Sequence, residues 1–577
     1  MCGIVAFVLN DDQNDKSCLL QQTIKALQAM EYRGFDSCGI MLQGVCYKAI
    51  GTAKNIHSYT QEPTVYAGFE NIALGHTRWA THGKVCLENT HPIENEYGWL
   101  VHNGVVENAH QLPLAEYYES DTACALEYLK ICQDDLQKFY DDVSGVSVFV
   151  WCVKNKPDRV FFMVKGCASL FISLGENGAM LCSDANVIAQ QNLENVVMVE
   201  DGQFGYVEED RITFLSQDVK KKMVHLTEVK ADIAAKPTPF SSWLEFEIYE
   251  QNKLWVGTYN KCISSLSELS ASEHKQQKKI FFIGAGSAYY AGAIAAAWFI
   301  EKGYDAQSLL SSEIAMYECM LQKSNCLCVF ISQSGQTIET IEAAHLVKSY
   351  NLPALGIINS TNSTLEMMLN RTLHTHAGVE YSIASTKAFT CQLAALLAFF
   401  DSYDGKGDHT ACLEYASSVD LALGEDFLNA CAQNSNLYVL SKGVGVVIAQ
   451  EIALKVRELA YIHAFGMSSS EFKHGPLALI DENFVAVLLN PSYDQKNYER
   501  INANACEILA RKGKVVMLTD KVFDNENILF VQMPKCDVYS MGFIYVKMGQ
   551  LLALKLAQLK GYNIDRPRNL VKSVTVI

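Results

Sequence analysis

Positive charge is scarce in this 577-residue sequence: 47 Lys and Arg stand against 64 Asp and Glu, for a formal net charge of -17. Nucleic-acid backbones and anionic membrane surfaces both need a positive field over a sizeable area, so neither is expected as a partner. An anionic metabolite in a local site remains compatible with the charge. Long hydrophobic runs are also missing. The longest, Tyr289 to Ile300 and Cys391 to Phe400, reach about twelve residues against the roughly 20 a bilayer requires. Residues 1 to 9 are apolar but lack the basic flank of a secretory leader. Charged residues make up 19% and prolines number 11, while 49% of the chain is hydrophobic, a balance that fits compact domains, about three or four at this length. Cysteine is not scarce, at 19, but the residues are scattered and without a C-x-x-C pair. That excludes a disulfide framework and points to free thiols in a reducing cytoplasm. No metal and no cofactor is expected.

The first 215 residues read as short strands and turns with a few helices, as in Ile4-Val5-Ala6-Phe7-Val8 and Val146-Ser147-Val148-Phe149-Val150-Trp151, and predict layered sheets. From Ser216 the composition turns polar and charged, with Lys220-Lys221-Lys222 and Pro237-Thr238-Pro239 before an amphipathic stretch from Trp243 to Leu254, the pattern of a connector. An internal repeat follows. Ile280-Phe281-Phe282-Ile283-Gly284, an Ala-rich helix and Ser311-Ser312-Glu313-Ile314 recur as Leu437-Tyr438-Val439-Leu440-Ser441, a helix and Ser469-Ser470-Glu471-Phe472. Each copy continues into βαβ alternation, so two doubly wound parallel sheets in tandem are expected.

Cys2 stands directly behind the initiator. Removing one methionine would place a thiol and a free α-amine on one residue, a nucleophile carrying its own base. Three polar clusters follow: His76 to Gly83, Val101-His102-Asn103-Gly104, and Glu119-Ser120-Asp121-Thr122. An amino-acid amide substrate wants an Arg for its α-carboxylate and an Asp for its α-ammonium, which Arg78 and Asp121 can supply. An Asn-Gly pair offers an amide and an unhindered N–H for a tetrahedral oxyanion. His102 can equally well only brace the turn.

These motifs, with Tyr32-Arg33-Gly34-Phe35-Asp36-Ser37, resemble in order and spacing the N-terminal-nucleophile glutaminase domain of the glutamine:fructose-6-phosphate amidotransferase family. The resemblance implies that Cys2 attacks the glutamine amide, Asn103 and Gly104 form the oxyanion hole, and Arg78, Thr81, His82 and Asp121 hold the amino acid. Trp79 would gate an ammonia channel.

In the first repeat, Ser332-Gln333-Ser334-Gly335-Gln336-Thr337 follows an apolar strand and opens a helix, so hydroxyls and backbone N–H groups converge as a phosphate site without a lysine. The equivalent Asn490-Pro491-Ser492-Tyr493-Asp494 lacks that hydroxyl cluster, so only the first copy is expected to bind phosphate. The hydroxyl loop, Ile383 to Thr390, Glu451 to Glu458, Lys473 to Ile480 and the tail Pro567 to Val576 resemble the paired sugar-isomerase (SIS) domains of the same family.

The resemblance implies a multi-domain α/β and α+β chain: a layered αββα glutaminase over 1–215, a connector over 216–270, SIS domains over 271–410 and 428–565, and a tail over 566–577 that completes the synthase site. Lys572 would form an imine with the open sugar, Glu458 would shuttle a proton, Lys455 would stand beside Glu458 on one helix face, and His474 would assist ring opening from a neighbouring subunit. Ser287, Ser332, Gln333, Ser334, Thr337, Ile383, Ser385 and Val571 would hold the sugar phosphate. The substrates implied are L-glutamine and fructose 6-phosphate, the products glucosamine 6-phosphate and glutamate, and the assembly a homodimer. Ala288 departs from the family's usual serine at a phosphate contact, Arg457 from a lysine and Val571 from an alanine. Ala288 keeps open a paralogue aminating another ketose phosphate; a further reading, a sugar-phosphate sensor with a dead synthase half, is opposed by the presence of Glu458, Lys455, His474 and Lys572.

Overall fold

The computed structural model describes residues 2–10, 16–58, 68–133, 135–191, 193, 195–217, 219, 221–228, 237–268, 279–323, 325–369, 371–521 and 525–574. Met1, Lys220, Thr575 and Val576, each part of a motif above, and residues 269–278 around the expected connector boundary lie outside the described residues.

The alternation in Gly3–Leu9 decides how the first part of the chain packs. Ile4, Ala6 and Val8 point into a core shared with Val101, Val148, Val150 and Phe162, while Val5 and Phe7 point the other way, onto Leu19, Ile24 and Leu27 of the Lys16–Ala29 helix. Period-2 patterning with both faces apolar demands cover on both sides. One face meets a second sheet and the other a helix. Gly3–Leu9 lies between Gly178–Cys182 and Ile72–Arg78 in an eight-stranded antiparallel sheet. The facing six-stranded sheet holds Gly98–Gly104 beside Ser147–Val153, and its outer face packs Leu100, Phe149 and Trp151 on Ala125, Leu126 and Leu129 of the Asp121–Cys132 helix.

Two five-stranded sheets with the same strand order follow, and every pairing in them is parallel. The first runs Asp305–Leu310, Lys279–Gly284, Cys326–Ser332, Ala354–Ile358, Thr372–His374; the second runs His463–Ser468, Asn436–Ser441, Val485–Leu489, Lys514–Thr519, Ile528–Gln532. Strands buried on both faces read as the near-continuous apolar runs of the repeat. Residues from Ser287–Glu301, Lys387–Asp404, Gly445–Ala460 and Met541–Leu559 merge both copies into one core. Within the stretch expected to be a connector, Trp243–Glu250 and Trp255–Glu268 are helices that send Leu244, Ile248, Trp255 and Tyr259 into that core. Their polar outer faces dilute the apolar signal in the sequence. No described helix is long and apolar enough to cross a membrane.

Candidate active site

Two groups of side chains assemble at strand ends. In the first, Cys2 is 7% exposed, its N–H donates to Asn103 Oδ1 at 3.2 Å, and its Sγ lies 3.8 Å from the Trp79 carbonyl oxygen. Strand register brings them together: Gly3 pairs with Thr77, and Gly3 N–H donates to Thr77 Oγ1 at 3.0 Å. With Oδ1 engaged by the Cys2 backbone, the donor capacity of the Asn103 side chain lies in its Nδ2 group. Gly104 has φ +145°, and a Cβ there would stand 2.1 Å from the Val146 carbonyl oxygen, so the position admits only glycine.

Arg78 closes the strand and folds the following loop around itself, donating to His82 O at 2.5 Å and Lys84 O at 3.2 Å. Thr81 and His82 are exposed on that loop. Asp121 opens its helix buried, accepting from Val106 N at 3.1 Å and Thr122 N at 2.8 Å. Since Val106 follows Gly104 by two residues, the carboxylate is held at the same strand end as the Asn-Gly pair. His102 is a brace: its ring nitrogens meet Thr122 Oγ1 and Ser147 Oγ, both at 3.0 Å, its ring stacks on Phe149, and burial pushes its pKa down. Trp79 meets Phe35 edge to face, and Arg566 lies over the other ring at 5.8 Å while contacting Glu31 at 3.4 Å. The tail thus reaches the loop beside Trp79.

The second group forms around the hydroxyl loop. Ser332 Oγ accepts Gly335 N–H at 2.9 Å, Ser334 Oγ accepts Gln336 N–H at 3.1 Å, and Gln333 O accepts Ser360 N–H at 3.0 Å. Gly335 turns at φ +61°, against Ser363. Thr337 caps the Ile338–Ser349 helix by position, and Ile338 N–H donates to Val574 O at 2.9 Å. The tail is seated here a second time, through Ser334 Oγ and Ser573 Oγ at 2.9 Å. Lys572, next to Ser573, sends Nζ to the Glu380 carboxylate and to Ser382 O at 2.7 Å. Burial alone would raise Glu380, but Lys572 and the N–H groups of Ala388 and Thr386 hold it below its ordinary value. Ile383 N–H donates to Asp565 O, while Ser385 and Val571 are half-buried.

On the Gly445–Ala460 helix, Lys455 Nζ reaches Glu458 Oε2 at 2.6 Å and Glu451 Oε1 at 3.6 Å, the i, i+3 and i, i+4 positions of one face. Glu451 also accepts the Ser287 hydroxyl at 3.1 Å. Burial pushes its carboxyl up to about 7 against the pull of Lys455, and the two carboxylates raise Lys455. His474 sits exposed on the loop after Glu471–Lys473 and is not brought to Lys455, Glu458 or Lys572 among the described contacts. In the second repeat, Asp520 takes both the N–H and the O–H of Ser492, at 2.7 and 2.6 Å. A protein carboxylate thus engages this strand end in the second repeat, where the first repeat has the hydroxyl loop.

Glu380, Ser382 and Glu247 did not stand out in the sequence. Each is a lone polar residue without period or motif, and only the junction of three distant segments makes them a set. The Glu before Ile383-Ala384-Ser385-Thr386 was the nearest available signal.

The SIS domain family model matches residues 274–402 and 431–526. Over its whole length and theirs, the chain is 30% identical to the glutamine--fructose-6-phosphate aminotransferases [isomerizing] of Campylobacter jejuni and of Aquifex aeolicus. The C-terminal domain of glucosamine-fructose-6-phosphate aminotransferase from Francisella tularensis, all of it covered, superposes on 58% of this chain with a TM-score of 0.51 and 28% identity. With full-length likeness on both sides, the chain belongs to the family of isomerizing glutamine--fructose-6-phosphate aminotransferases.

Proposed function

We propose that this enzyme moves the amide nitrogen of L-glutamine to fructose 6-phosphate and isomerises the product to glucosamine 6-phosphate, releasing glutamate. The observation that carries the reading is the seating of the tail: the Ser334–Ser573 hydrogen bond holds the residue next to Lys572 on a hydroxyl loop of the lysine-free phosphate-site type. Residues 1–215 act as an αββα glutaminase of the N-terminal-nucleophile kind, 216–270 lead across, 271–410 bind the sugar phosphate, 428–565 supply Glu458 and Lys455, and 566–577 bring Lys572.

In the glutaminase, Cys2 Sγ attacks the amide carbon. Asn103 Nδ2 and Gly104 N–H take the oxyanion, an interaction type whose loss costs about 3 kcal/mol. Arg78 and Asp121 hold the α-carboxylate and α-ammonium, and the exposed Thr81 and His82 close over the substrate. Ammonia then passes Trp79. At the sugar, Ser287, Ser332, Gln333, Ser334, Thr337, Ile383, Ser385 and Val571 hold the phosphate and chain, and Lys572 forms an imine at C2. Glu458 moves the proton between C1 and C2, and a partner subunit's copy of His474 opens the ring, a role that fits its exposed position and makes the working form a homodimer. The acidic surface suits a cytoplasmic enzyme acting on small molecules rather than on nucleic acid or membrane.

Ala288 supports the second reading, another ketose phosphate, because it offers no hydroxyl beside Ser287. One assay series decides. Glucosamine 6-phosphate formation is followed across several ketose phosphates in wild type, Cys2→Ala and Lys572→Ala. Cys2→Ala should lose glutamine-dependent synthesis and keep sugar isomerisation; Lys572→Ala should lose borohydride trapping of fructose 6-phosphate. A better acceptor than fructose 6-phosphate would replace the substrate assignment.

A further inference from the structure

We infer that Glu247 is a positioning residue for Lys572, holding the Glu380–Ser382 loop from below without touching the sugar. The inference rests on the reading of Lys572 as the imine-forming amine. Both acceptors of Lys572 Nζ belong to this three-residue loop, the Glu380 carboxylate and the Ser382 carbonyl. Three donors of the loop converge on one carboxylate, although the Ser382 hydroxyl also lies 3.2 Å from Ala384 O. Glu247 Oε1 accepts Tyr381 N–H at 2.5 Å and Ser382 N–H at 3.3 Å, and Oε2 accepts the Ser382 hydroxyl.

Glu247 is fully buried, on a helix that already presents Leu244 and Ile248 to the core. An apolar residue would pack there at lower cost, since a buried acid without a cation in direct contact is expensive. What the carboxylate adds is a fixed direction for the Glu380 and Ser382 acceptors. The helix is itself tied to the tail, because Asp565 accepts the N–H groups of Trp243 and Leu244 at 3.1 and 2.9 Å.

The chemistry needs that direction. One ammonium proton passes from Lys572 to Glu380, and the amine lone pair forms a C–N bond to C2. A second nitrogen proton moves to the former carbonyl oxygen. The proton lent to Glu380 returns to that oxygen as the C–O bond breaks and water leaves, giving the protonated imine and restoring the carboxylate. The loan works only while Glu380 stays within hydrogen-bond reach of Nζ.

Glu380 and Lys572 are the charges that face Glu247. On the packed elements, Lys387 is paired with Glu250, Lys555 lies 4.0 Å from Glu245, Lys547 donates to Val419 O and Asp565 caps the helix. Burial and the Glu380 charge push the Glu247 carboxyl up to about 7. Ionised, it accepts all three donors; protonated below that pH, it trades an acceptor for an O–H and the loop loosens.

The test uses the full-length enzyme, fructose 6-phosphate and borohydride. In wild type the trapping rate should fall as pH drops through about 7. E247Q, fixed in the neutral state, should lose that limb and run about 10- to 100-fold slower at pH 8, with the KM for fructose 6-phosphate within about threefold, the size of effect expected for misplacement by about an ångström. E247D, which draws the carboxylate back by one methylene, should not restore the rate. Unchanged glutamine hydrolysis in E247Q shows that the fold survives. A wild-type rate and pH profile in E247Q overturns the positioning role alone, as does loss of glutamine hydrolysis together with trapping. Equal trapping in Lys572→Ala and wild type overturns the imine assignment and this inference with it.

Discussion

Gly104 shows how little room single residues have here. Its φ of +145° and the 2.1 Å approach of the Val146 carbonyl oxygen leave no place for a methyl group, and the neighbouring Asn103 must keep Oδ1 on the Cys2 N–H. Gly104→Ala should therefore move the Asn-Gly turn and cost about 100-fold or more in glutamine hydrolysis, while sugar isomerisation stays within a few-fold of wild type; steady-state assays of the two half-reactions check this. At this scale much was legible in advance. Cys2, Arg78, Asn103, Gly104 and Asp121 fall in short contiguous motifs whose chemistry can be named from residue type. Glu247 and Glu380 were not, because a lone buried carboxyl looks in sequence like any exposed one, and the meaning of Glu380 comes from Lys572, 192 positions further along the chain.

Among the elements, the Trp243–Glu250 helix has the most unusual support. Its Ser242 cap accepts Glu245 N–H at 3.1 Å, and Asp565, over three hundred residues later, accepts the two orphan donors before it, the N–H groups of Trp243 and Leu244. An acidic group at a helix N-terminus satisfies free N–H groups and the dipole together. Asp565→Ala should lower stability by about 1 to 2 kcal/mol, read as a drop in Tm, and should slow borohydride trapping more than it slows glutamine hydrolysis, since the cap also anchors the tail. The parallel strands from Lys279 onward were readable from apolar runs and the repeat. The helices of 243–268 were harder to place, because a polar outer face beside charged flanking sequence reads as a connector until a core is found for Leu244, Ile248 and Trp255.

For the molecule as a whole, the segment after Ala354–Ile358 joins the first part of the chain to the hydroxyl loop. Asn362 Nδ2 donates to Asn186 Oδ1 at 3.0 Å and Thr227 O at 2.8 Å, and its Oδ1 accepts Thr227 N–H at 2.7 Å. Two residues on, Thr364 Oγ1 lies 2.6 Å from Ser169 Oγ and donates to Gln336 Oε1 at 2.9 Å, inside the hydroxyl loop. Asn362 also takes φ +56°, which asparagine tolerates better than most residues. Asn362→Ala should loosen this joint by about 1 to 3 kcal/mol and let the half-reactions drift apart, so that more glutamate than glucosamine 6-phosphate forms per turnover; product ratios by chromatography check it. The sequence by itself determined the period-2 strands of the first part, the tandem parallel sheets and the reactive motifs, because hydrophobic periodicity and short-range chemistry are written locally. Only the tertiary structure decided that the tail lies on the hydroxyl loop, that Glu247 gathers the donors of Tyr381 and Ser382, and that Asn362 and Thr364 tie the Asn186 and Ser169 segments to that loop. Those pairings depend on strand order and buried donor–acceptor matching between distant segments, which no local pattern encodes.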